Sequence, residues 1–588
     1  MTWPAKPLAS AKSDTDAAGG RWLAVGHAEL ATELRWLAGP QSRVDVADAS
    51  LLDEETSLIH ALNGIDRVLY TPSDLGTLFD LETAYRLFHE VRMLAAAMVA
   101  ADMPAKLFIV TRNAQPVAEG DRANPAHGVL WGLGRTLALE HPQIWGGILD
   151  FDASVPPELV AAQVLSEATN TDGEDQVIYR RGERLVPRLH PRTLPADPVT
   201  LDGNACQLVI GATGNIGPHL IRQLATMGAK TIIAVSRKPG LRLQALTESL
   251  AAQGTILVTV AADATDEAAM SALFNQFGGD LPPLEGIYLA AFAGQPVLLS
   301  EMTNDDVMAM FAPKVDTAAL LHRLTLKTPV RHFVLFSSIS GLTGSRWLAH
   351  YTATSGYLDA LAYARRVMGL PATTINWGLW KSLADTQHQF GQVSLGSGLL
   401  PMNDETAITA LPLLMNPAAG AHSIMVNADW PLLAAAYRTR TALHIVDDLL
   451  QDARDTAPIP ARDWSHLSSA MVREELETGL RDIVARELRI PEPDLENDRP
   501  LAELGLNSLM AMAIRRAAET LVGVELSATM LFNHPTVASL TEYLAKLVAP
   551  SEDSEEDEIA ALSASAGNTL DSLLERIESS SVTAEELA

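Results

Sequence analysis

The stretch CQLVIGATGNIGPHLIRQLATMGAKTIIAVSR, residues 206–237, carries the most informative fold signal in this 588-residue chain. An apolar strand leads into Gly211, Gly214 and Gly217, and a helical pattern and a second apolar strand follow. Glycines let the backbone turn tightly and approach a pyrophosphate, which the N-terminus of the next helix stabilises. The stretch therefore predicts a dinucleotide-binding βαβ unit. An ordinary tight turn without a ligand is the alternative, because such a glycine pattern alone is a weak signal.

The order of this unit also indicates which residues would hold a cofactor. The second strand ends at Ser236 and Arg237, where the cofactor's ribose would lie, and an arginine there favours a 2′-phosphate and hence NADPH over NADH. The third strand ends at Asp263, in AADATD, which could meet the adenine edge. The expected cofactor-binding residues in these three places are Gly211, Thr213, Gly214, Asn215, Ile216, Gly217, Ser236, Arg237, Asp263 and Ala264.

Strand–helix alternation extends in both directions from this unit. Downstream, GTILVTVAAD, LEGIYLAA, RHFVLFSS and ATTINWGLW are near-continuous apolar strands, as a parallel sheet covered on both faces requires. Upstream, from residue 21, short apolar strands alternate with helical periodicity and predict another parallel sheet. Residues 175–189 have the pattern of a β-hairpin that turns at RRGE.

Composition shifts divide the chain into six expected regions. A proline-rich joint at 190–198 separates the two α/β patterns, and about 80 residues of purely helical pattern follow the second one. The acidic run SEDSEEDE precedes a short amphipathic segment at 568–582, whose Leu/Ile stripe could pack on a partner helix. The regions are a flexible lead (1–20), a first α/β subdomain (21–198), a second one (199–450), a linker (451–466), a helical domain (467–548) and an acidic tail with a docking segment (549–588).

The overall composition excludes several classes of function. A formal net charge of −29 opposes binding to nucleic acid and to anionic membranes. The single cysteine, Cys206, excludes an internal disulfide framework and fits a reducing compartment. We find neither a signal peptide nor an apolar run long enough to span a membrane, and no Cys/His cluster has metal-ligand spacing. We therefore expect a cytoplasmic protein without a metal site.

Seven motifs, taken together and in order, resemble the ketoreductase domain of modular type I polyketide synthases, a relative of the short-chain dehydrogenases. They are LVIGATGNIG, AADATD, GIYLAAFAG, FAPKVDTAALLHRLT, FVLFSSISG, HYTATSGYLDALA and PATTINWGLW. The half at 21–195 resembles the truncated, non-catalytic subdomain that precedes such reductases. The resemblance implies an α/β fold with two Rossmann-like subdomains, a structural one and a catalytic one.

The resemblance also places the catalytic groups. It puts Lys314, Ser338 and Tyr351 at the family's catalytic positions, with Lys314 and Tyr351 also touching the cofactor. Ketone reduction needs a hydride on carbon and a proton on oxygen, and a free tyrosine, with a pKa near ~10, is a poor acid at neutral pH. We expect the Lys314 ammonium to lower the pKa of Tyr351 and the Ser338 hydroxyl to hold the carbonyl oxygen near it. Tyr357 is expected to be a packing residue.

Three departures from the family pattern bear on activity. Ser355 stands at the catalytic position four residues after the tyrosine, where the family usually has asparagine. Phe292 replaces a glycine near the expected nicotinamide site. Gly294–Gln295–Pro296 and Thr343 stand where the two stereochemical classes carry their marker residues, so the motifs do not give the handedness of the alcohol.

The helical region contains a second resemblance. ELGLNSLMAMAIRRAAE, residues 503–519, resembles the attachment motif of acyl carrier domains, and the match continues through VELSATMLFNHPTVASLTEYL. It implies an all-α four-helix carrier in which Ser508 takes a 4′-phosphopantetheine arm. Asn507 replaces the usual aspartate but caps a helix about as well. A plain N-capping serine in a helical bundle is the alternative. The amino-acid sequence of these segments resembles that of the carriers of mycobacterial lipid-making synthases.

The two resemblances predict one reaction. An NADPH-dependent ketoreductase would reduce a β-ketoacyl thioester on the carrier arm to a β-hydroxyacyl thioester. The implied partners are upstream and downstream synthase modules, where chain extension takes place, and a phosphopantetheinyl transferase. One alternative is a non-catalytic reductase scaffold with a working carrier and docking tail. Another is a stand-alone short-chain dehydrogenase with a helical appendage.

Overall fold

The computed structural model of the chain describes residues 1–8, 20–386 and 398–454, apart from positions 41, 74, 75, 77, 78, 103, 171 and 439, together with most residues from 464 to 548. The chain forms two compact units, Met1–Arg454 and Asp455–Ala588. The first unit contains two β-sheets and is described first.

The N-terminal half of the first unit is built on a sheet with the order β2-β1-β3-β4-β5-β6-β7. All neighbouring strands are parallel except β6 and β7, which form the predicted antiparallel hairpin. Its turn places Arg181 and Gly182 at positive φ. The strands are β1 (Gly20–Gly26), β2 (Ser42–Ala47), β3 (Arg67–Thr71), β4 (Lys106–Arg112), β5 (Trp145–Phe151), β6 (Gln176–Arg180) and β7 (Glu183–Leu185), and the helices are α1 (Ala28–Leu37), α2 (Glu55–Leu62), α3 (Leu81–Ala100), α4 (Pro125–Glu140) and α5 (Pro157–Ala168).

The second half is a parallel sheet with the order β10-β9-β8-β11-β12-β13-β14. The chain reverses direction across the sheet between β8 and β11, and ligands of such sheets bind at this switch point, beyond the carboxyl ends of the strands. The strands are β8 (Cys206–Ile210), β9 (Thr231–Ser236), β10 (Ile256–Ala261), β11 (Leu284–Leu289), β12 (His332–Ser338), β13 (Thr373–Trp377) and β14 (His422–Met425). The helices are α6 (Gly217–Thr226), α7 (Leu241–Ala251), α8 (Glu267–Phe274), α9 (Asn304–Phe311), a π-helical turn at Ala312–Asp316, α10 (Thr317–Thr325), α11 (Ser340–Thr343), α12 (Ala349–Val367) and α13 (Lys381–Thr386), followed by further ones at Asp404–Ile408, Leu411–Leu414, Trp430–Arg438 and Asp447–Arg454.

Helices α4 and α12 join the two halves through an unusually close backbone contact. A Cβ atom added at Gly128 would stand 2.5 Å from the carbonyl oxygen of Gly356, and one added at Gly132 would overlap the carbonyl oxygen of Thr352. Close to this contact, the hydroxyl groups of Thr136 and Thr352 lie 2.9 Å apart. All of α4 is buried, so the helix belongs to the interior of the whole unit.

Two expected boundaries are wrong in part. Residues 1–8 are not a flexible lead, because Thr2 and Ala5 form antiparallel bridges with Arg188 and Leu185. The buried Trp3 ring packs edge-on against Trp131 at 6.0 Å, which buries apolar surface that a free lead would leave in water. The rest of the predicted lead, 9–19, lies outside the described residues. The linker expected from 451 starts later, because the helix at Asp447–Arg454 continues to Arg454.

The long regular elements described in the second unit are all helices. Its helices are Ser469–Leu488, Ser508–Val522, Met530–Asn533 and Val537–Val548. Their apolar side chains share one core that includes Leu480, Ile514 and Leu540, and Trp464, from the expected linker, is buried in it. The tail from 549 onward, with its predicted docking segment, lies outside the described residues. Among the helices that the structure describes, none is both long and apolar enough to cross a membrane.

The α4–α12 contact generates a stability prediction. Gly132→Ala should lower the free energy of unfolding by about 1–3 kcal/mol, because the new methyl group would push the two helices apart. Thermal and urea denaturation measure the change. Gly240→Ala is the matched control, because a Cβ there meets nothing within 4 Å and the residue has an extended φ of −117°. An equal effect of the two substitutions would contradict the prediction.

Candidate active site

A cavity of about 480 Å³ opens at the switch point of the second sheet. Residues at or just beyond the ends of six of its strands contribute to the wall, among them Ile210, Ser236, Ala290, Ser338 and Gly378. Every residue that the sequence assigned to the cofactor lines this cavity except Gly217, which is the first residue of α6.

The glycine-rich turn has the geometry of a cradle. Gly211 has φ +90°, and a Cβ there would stand 2.6 Å from the backbone nitrogen of Ala291. A Cβ at Gly217 would overlap the carbonyl oxygen of Ala212. The backbone therefore turns from β8 into α6 in a space that admits no side chain at these two positions. Such a turn, with a helix N-terminus behind it, fits the pyrophosphate of a dinucleotide.

The two strand ends beside this turn carry polar groups. The hydroxyl groups of Ser236 and Thr213 lie 2.8 Å apart and tie β9 to the turn. The Asp263 carboxylate accepts hydrogen bonds from the backbone nitrogen (3.0 Å) and the hydroxyl (2.8 Å) of Thr265. These bonds, together with the charge of Arg237, hold the pKa of Asp263 below its usual range. Arg237 itself is exposed, so its charge is free to meet an anionic ligand at the rim.

Three predicted catalytic residues meet on one wall of the cavity. Tyr351, near the start of α12, shares a hydrogen bond with the hydroxyl of Ser338, the last residue of β12. The Lys314 ammonium lies 5.5 Å from the centre of the Tyr351 ring. The three residues come from three separate elements, and all of them line the cavity.

The pKa of Tyr351 differs from expectation. Lys314 was expected to lower it, but burial raises it above its ordinary value, and the hydrogen bond with Ser338 opposes this only in part. Burial also lowers the pKa of Lys314 to about 8, so the lysine has lost its charge before the phenol ionises. Its nitrogen donates to the carbonyl oxygen of Phe336 at 2.8 Å and stands over the ring of Tyr351. At neutral pH the Tyr351 phenol therefore keeps its proton.

Lys314 projects from the π-helical turn between α9 and α10. A π turn inserts one extra residue into a helix and so redirects a side chain, which is why such turns are frequent at functional sites. The side chain is only 3% exposed. Burial lowers the pKa of Lys314 to about 8, and the nearby Asp359 carboxylate acts in the opposite direction.

Ser355 is the one predicted catalytic residue that the structure does not bring to the cavity. Its hydroxyl donates to the carbonyl oxygen of Tyr351 at 3.4 Å, one turn back in the same helix, and the residue is fully buried. Short hydroxyl side chains commonly bond back to their own helix in this way. A Cβ at Gly341 would stand 2.5 Å from the Ser355 Cβ, so the space beside the serine is already filled.

Asn376 supports the site and was missed from the sequence. Its amide nitrogen donates to the backbone oxygen of Ser338 at 2.7 Å and to Asp359 at 3.0 Å. The Thr374 hydroxyl donates to the other oxygen of Asp359 at 2.7 Å. The network fixes the end of β12 and holds the carboxylate that helps to keep Lys314 charged. An asparagine inside the apolar strand ATTINWGLW was the available signal, because a buried amide needs partners.

Phe292 forms part of the wall without filling the cavity. Its ring meets the Tyr351 ring edge-on, with centres 5.2 Å apart and an interplanar angle of 84°. The replacement of the family's glycine therefore adds apolar surface beside the phenol. Tyr357, on the same helix as Tyr351, is by contrast fully buried in the hydrophobic core of the unit, as expected for a packing residue.

The carrier serine lies at a helix start. Ser508 is the first residue of the helix Ser508–Val522, where the helix dipole favours an anionic group such as a phosphodiester. Asn507 lies outside the described residues. Over the part of the chain that the structure describes, no group of three or more His, Cys, Asp or Glu side chains could hold a metal ion.

Comparison with known families identifies three regions. The model described as KR domain matches residues 205–382, and the model described as phosphopantetheine attachment site matches 478–544. A third model, described as the Rossmann fold domain of the polyketide synthase extender module SpnB, matches residues 6–189. These matches confirm the expected fold class of two Rossmann-like regions and a carrier.

Two similar proteins of known sequence are mycobacterial. A phenolphthiocerol/phthiocerol polyketide synthase chain of Mycobacterium bovis is 57% identical over 559 residues, or 93% of this chain and 36% of that protein. A different chain of the phenolphthiocerol/phthiocerol polyketide synthase, from Mycobacterium tuberculosis, is 36% identical over 531 residues, or 86% of this chain and 27% of that protein. The chain thus spans about a third of the length of the curated relatives it matches.

Solved structures agree with the fold. An A1-type ketoreductase superposes with a TM-score of 0.68 at 26% identity, covering 78% of this chain and 98% of the other. A C2-type ketoreductase from a modular polyketide synthase gives 0.65 at 26% identity, covering 76% and 98%.

The Asn376 network generates a prediction that does not depend on the reaction. Asn376→Ala should lower the free energy of unfolding by about 1–3 kcal/mol, because Asp359 and the Ser338 carbonyl would lose a buried donor. Urea denaturation measures the change. Asn275→Ala, at the exposed end of α8, is the control and should change stability little. Equal stability of the two variants would show that the network contributes nothing.

Proposed function

Since this chain belongs to the ketoreductase and acyl carrier region of modular type I polyketide synthases, we propose that it reduces a β-ketoacyl thioester to a β-hydroxyacyl thioester with NADPH. The observation that carries the proposal is the meeting of Tyr351, Ser338 and Lys314 on one wall of a cavity that also contains a glycine-rich cradle. The substrate is the acyl group carried on the phosphopantetheine arm.

The chain's own residues then have separate roles in the reduction. Bound NADPH would supply the hydride to the ketone carbon. Ser338 donates a hydrogen bond to the ketone oxygen, which brings the oxygen to the phenol of Tyr351. As negative charge develops on this oxygen, it becomes far more basic than a phenolate, so the Tyr351 proton moves to it and the alcohol forms. The raised pKa of Tyr351 is compatible with this role, because it keeps the donor protonated until then.

Lys314 stabilises the phenolate that proton transfer leaves behind. Its ammonium lies 5.5 Å from the ring centre, in a buried site where charges interact strongly. Asp359, held by Asn376 and Thr374, keeps the lysine charged against the effect of burial. Ser355 has no direct part in this mechanism, because its hydroxyl bonds to backbone.

Arg237 supports the choice of NADPH. It follows β9 directly, where a ribose 2′-phosphate would lie, and it is exposed at the rim of the cavity. The cradle formed by Gly211 and Gly217 fits the pyrophosphate. Ser236, Asp263 and Ala264 line the same end of the cavity and would meet the ribose and adenine.

The carrier delivers the substrate. Ser508 would bear the 4′-phosphopantetheine arm, and a covalently tethered acyl group visits the cavity at high effective concentration. The mycobacterial relatives are phenolphthiocerol/phthiocerol polyketide synthases, which fits a role in lipid biosynthesis. The partners would be neighbouring synthase modules and a phosphopantetheinyl transferase in the cytoplasm.

A second candidate is a non-catalytic reductase scaffold with a working carrier. Two observations favour it: Ser355 does not reach the cavity, and the Phe292 ring stands against Tyr351. The first experiment below separates the two candidates.

Tyr351→Phe should abolish substrate-dependent loss of NADPH absorbance with a β-ketoacyl thioester, lowering kcat by about a hundredfold or more, because it removes the proton donor. Tyr357→Phe is the matched control on the same helix, since the Tyr357 hydroxyl has no hydrogen-bond partner among the described residues. If the parent protein oxidises no NADPH and Tyr351→Phe is no different, the scaffold candidate replaces the reductase. If the parent is active and Tyr351→Phe is equally active, Tyr351 is not the proton donor.

The pH profile tests Lys314. The charged form is lost as pH rises through about 8, so kcat/KM for reduction should fall above that pH. Lys314→Met should be slower at every pH and should lack this decline, because the charge is already absent. Steady-state rates across this range of pH, with circular dichroism to verify folding, measure both. If kcat/KM of Lys314→Met declines in the same way, a group other than Lys314 causes the decline.

Intact mass tests the carrier. Incubation with coenzyme A and a phosphopantetheinyl transferase should add the mass of one arm to the parent chain and to Ser539→Ala, and none to Ser508→Ala. The control serine lies in the first turn of the helix Val537–Val548, where its hydroxyl accepts the backbone N–H of Thr536. An arm that still attaches to Ser508→Ala would place the site elsewhere.

A further inference from the structure

Glu140, the last residue of α4, reaches from the structural half of the unit into the catalytic half. One of its carboxylate oxygens accepts the backbone N–H of Leu299 at 2.9 Å, and the other accepts the backbone N–H of Trp347. The side chain is 7% exposed and lines no part of the cavity. A single buried carboxylate thus joins two loops that are far apart in sequence.

These two loops, 292–302 after β11 and 344–348 before α12, are also joined to each other. The backbone nitrogen of Val297 donates to the carbonyl oxygen of Trp347 at 2.8 Å. A ring nitrogen of His350 lies 3.0 Å from the carbonyl oxygen of Gln295. The pair forms one unit of irregular backbone, with Glu140 as its link to α4.

The conformation of this unit requires support. Trp347 has φ +62°, a region that bulky side chains rarely adopt and that costs on the order of 1–3 kcal/mol. Glu140 holds this residue through its backbone nitrogen. A carboxylate suits the role because both of its oxygens accept, whereas glutamine would turn an N–H₂ group toward one of the two backbone donors.

Both loops border the reacting group. Phe292 and Ala293 at the start of one loop and Leu348 at the end of the other line the cavity beside Tyr351. Their positions set the wall against which an acyl substrate rests when its ketone meets the phenol. We propose that Glu140 is a positioning residue for the acyl substrate, which fixes this wall and thereby selects the face of the ketone that is reduced. The inference rests on the proposed reduction for its stereochemical part only.

Burial is the largest influence on Glu140 and raises its pKa. The two backbone N–H groups and the nearby Arg346 and Arg440 oppose this rise only in part. His141, the other titratable group beside these arginines, has its pKa lowered by burial and by both of them, so it stays neutral near pH 7. Both Glu140 oxygens accept backbone N–H groups, which is the arrangement of a carboxylate, and such charge-assisted bonds are stronger than neutral ones.

The test compares Glu140→Gln, Glu140→Asp and the parent chain, with Glu158→Gln, exposed on α5, as the matched control. Glu140→Gln should raise KM for the β-ketoacyl thioester by about tenfold and shift the ratio of the two alcohol stereoisomers toward one, while the Kd of NADPH stays within about twofold. Glu140→Asp should restore part of the stereoisomer ratio, since it keeps the carboxylate. Chiral chromatography of the product gives the ratio. Unchanged KM and ratio in Glu140→Gln, with only a lower melting temperature, would overturn the inference.

Two further measurements do not require turnover. Hydrogen exchange at the amides of Leu299 and Trp347 should be faster in Glu140→Gln, and calorimetric binding of the thioester without cofactor should be weaker. If the parent chain proves inactive but both effects are present, the proposed reduction fails and the positioning role stands. If exchange and binding match the parent, the positioning role fails whatever the activity.

Discussion

The contact between α4 and α12 is the constraint on which the active site depends. Tyr351 projects from α12, and α12 has no room to shift, because the backbone of Gly132 lies directly against that of Thr352. A polar contact also holds the segment that follows Ser338. Arg135 donates to the carbonyl oxygen of Gly341 at 2.6 Å, just beyond Ser338. The half that carries none of the predicted catalytic residues thus holds the helix that carries Tyr351 and the segment that follows Ser338.

The chemistry of the site follows from burial as much as from charge. Burial raises the pKa of Tyr351 and lowers the pKa of Lys314. The phenol therefore keeps its proton more firmly, and the ammonium loses its proton more easily. The phenol therefore stays neutral until, in the proposed reduction, the ketone oxygen takes its proton, whereas the ammonium stays charged up to a pH of about 8. Asp359 limits the effect on the lysine, and Asn376 and Thr374 hold Asp359 in place. The hydrogen bonds of Asn376 and Thr374 therefore influence the charge of Lys314 in the cavity.

Features fixed by local sequence were predictable, and features fixed by distant contacts were not. The turn at Gly211 and the hairpin at Arg181–Gly182 follow from the local sequence. The convergence of Ser338 with Tyr351 was implied by the resemblance to the ketoreductase family. The burial of Ser355 was not foreseen, because its short hydroxyl returns to its own helix, which a motif position does not reveal. The roles of Glu140 and Trp3 were not foreseen, because their partners lie more than a hundred residues away, and no local pattern marks such a pairing.

The bridges between residues 2–5 and 185–188 bear on any attempt to transplant this reductase into another assembly line. A recombination junction placed between positions 8 and 20 would look harmless in an alignment, since it precedes the first long strand. It would nevertheless exchange the Trp3 ring, which packs on Trp131 of α4, for a foreign side chain. In hybrid enzymes joined there, α4 would pack less tightly, and α12, which carries Tyr351, would be held less precisely. This would happen although every residue of the cavity had been retained.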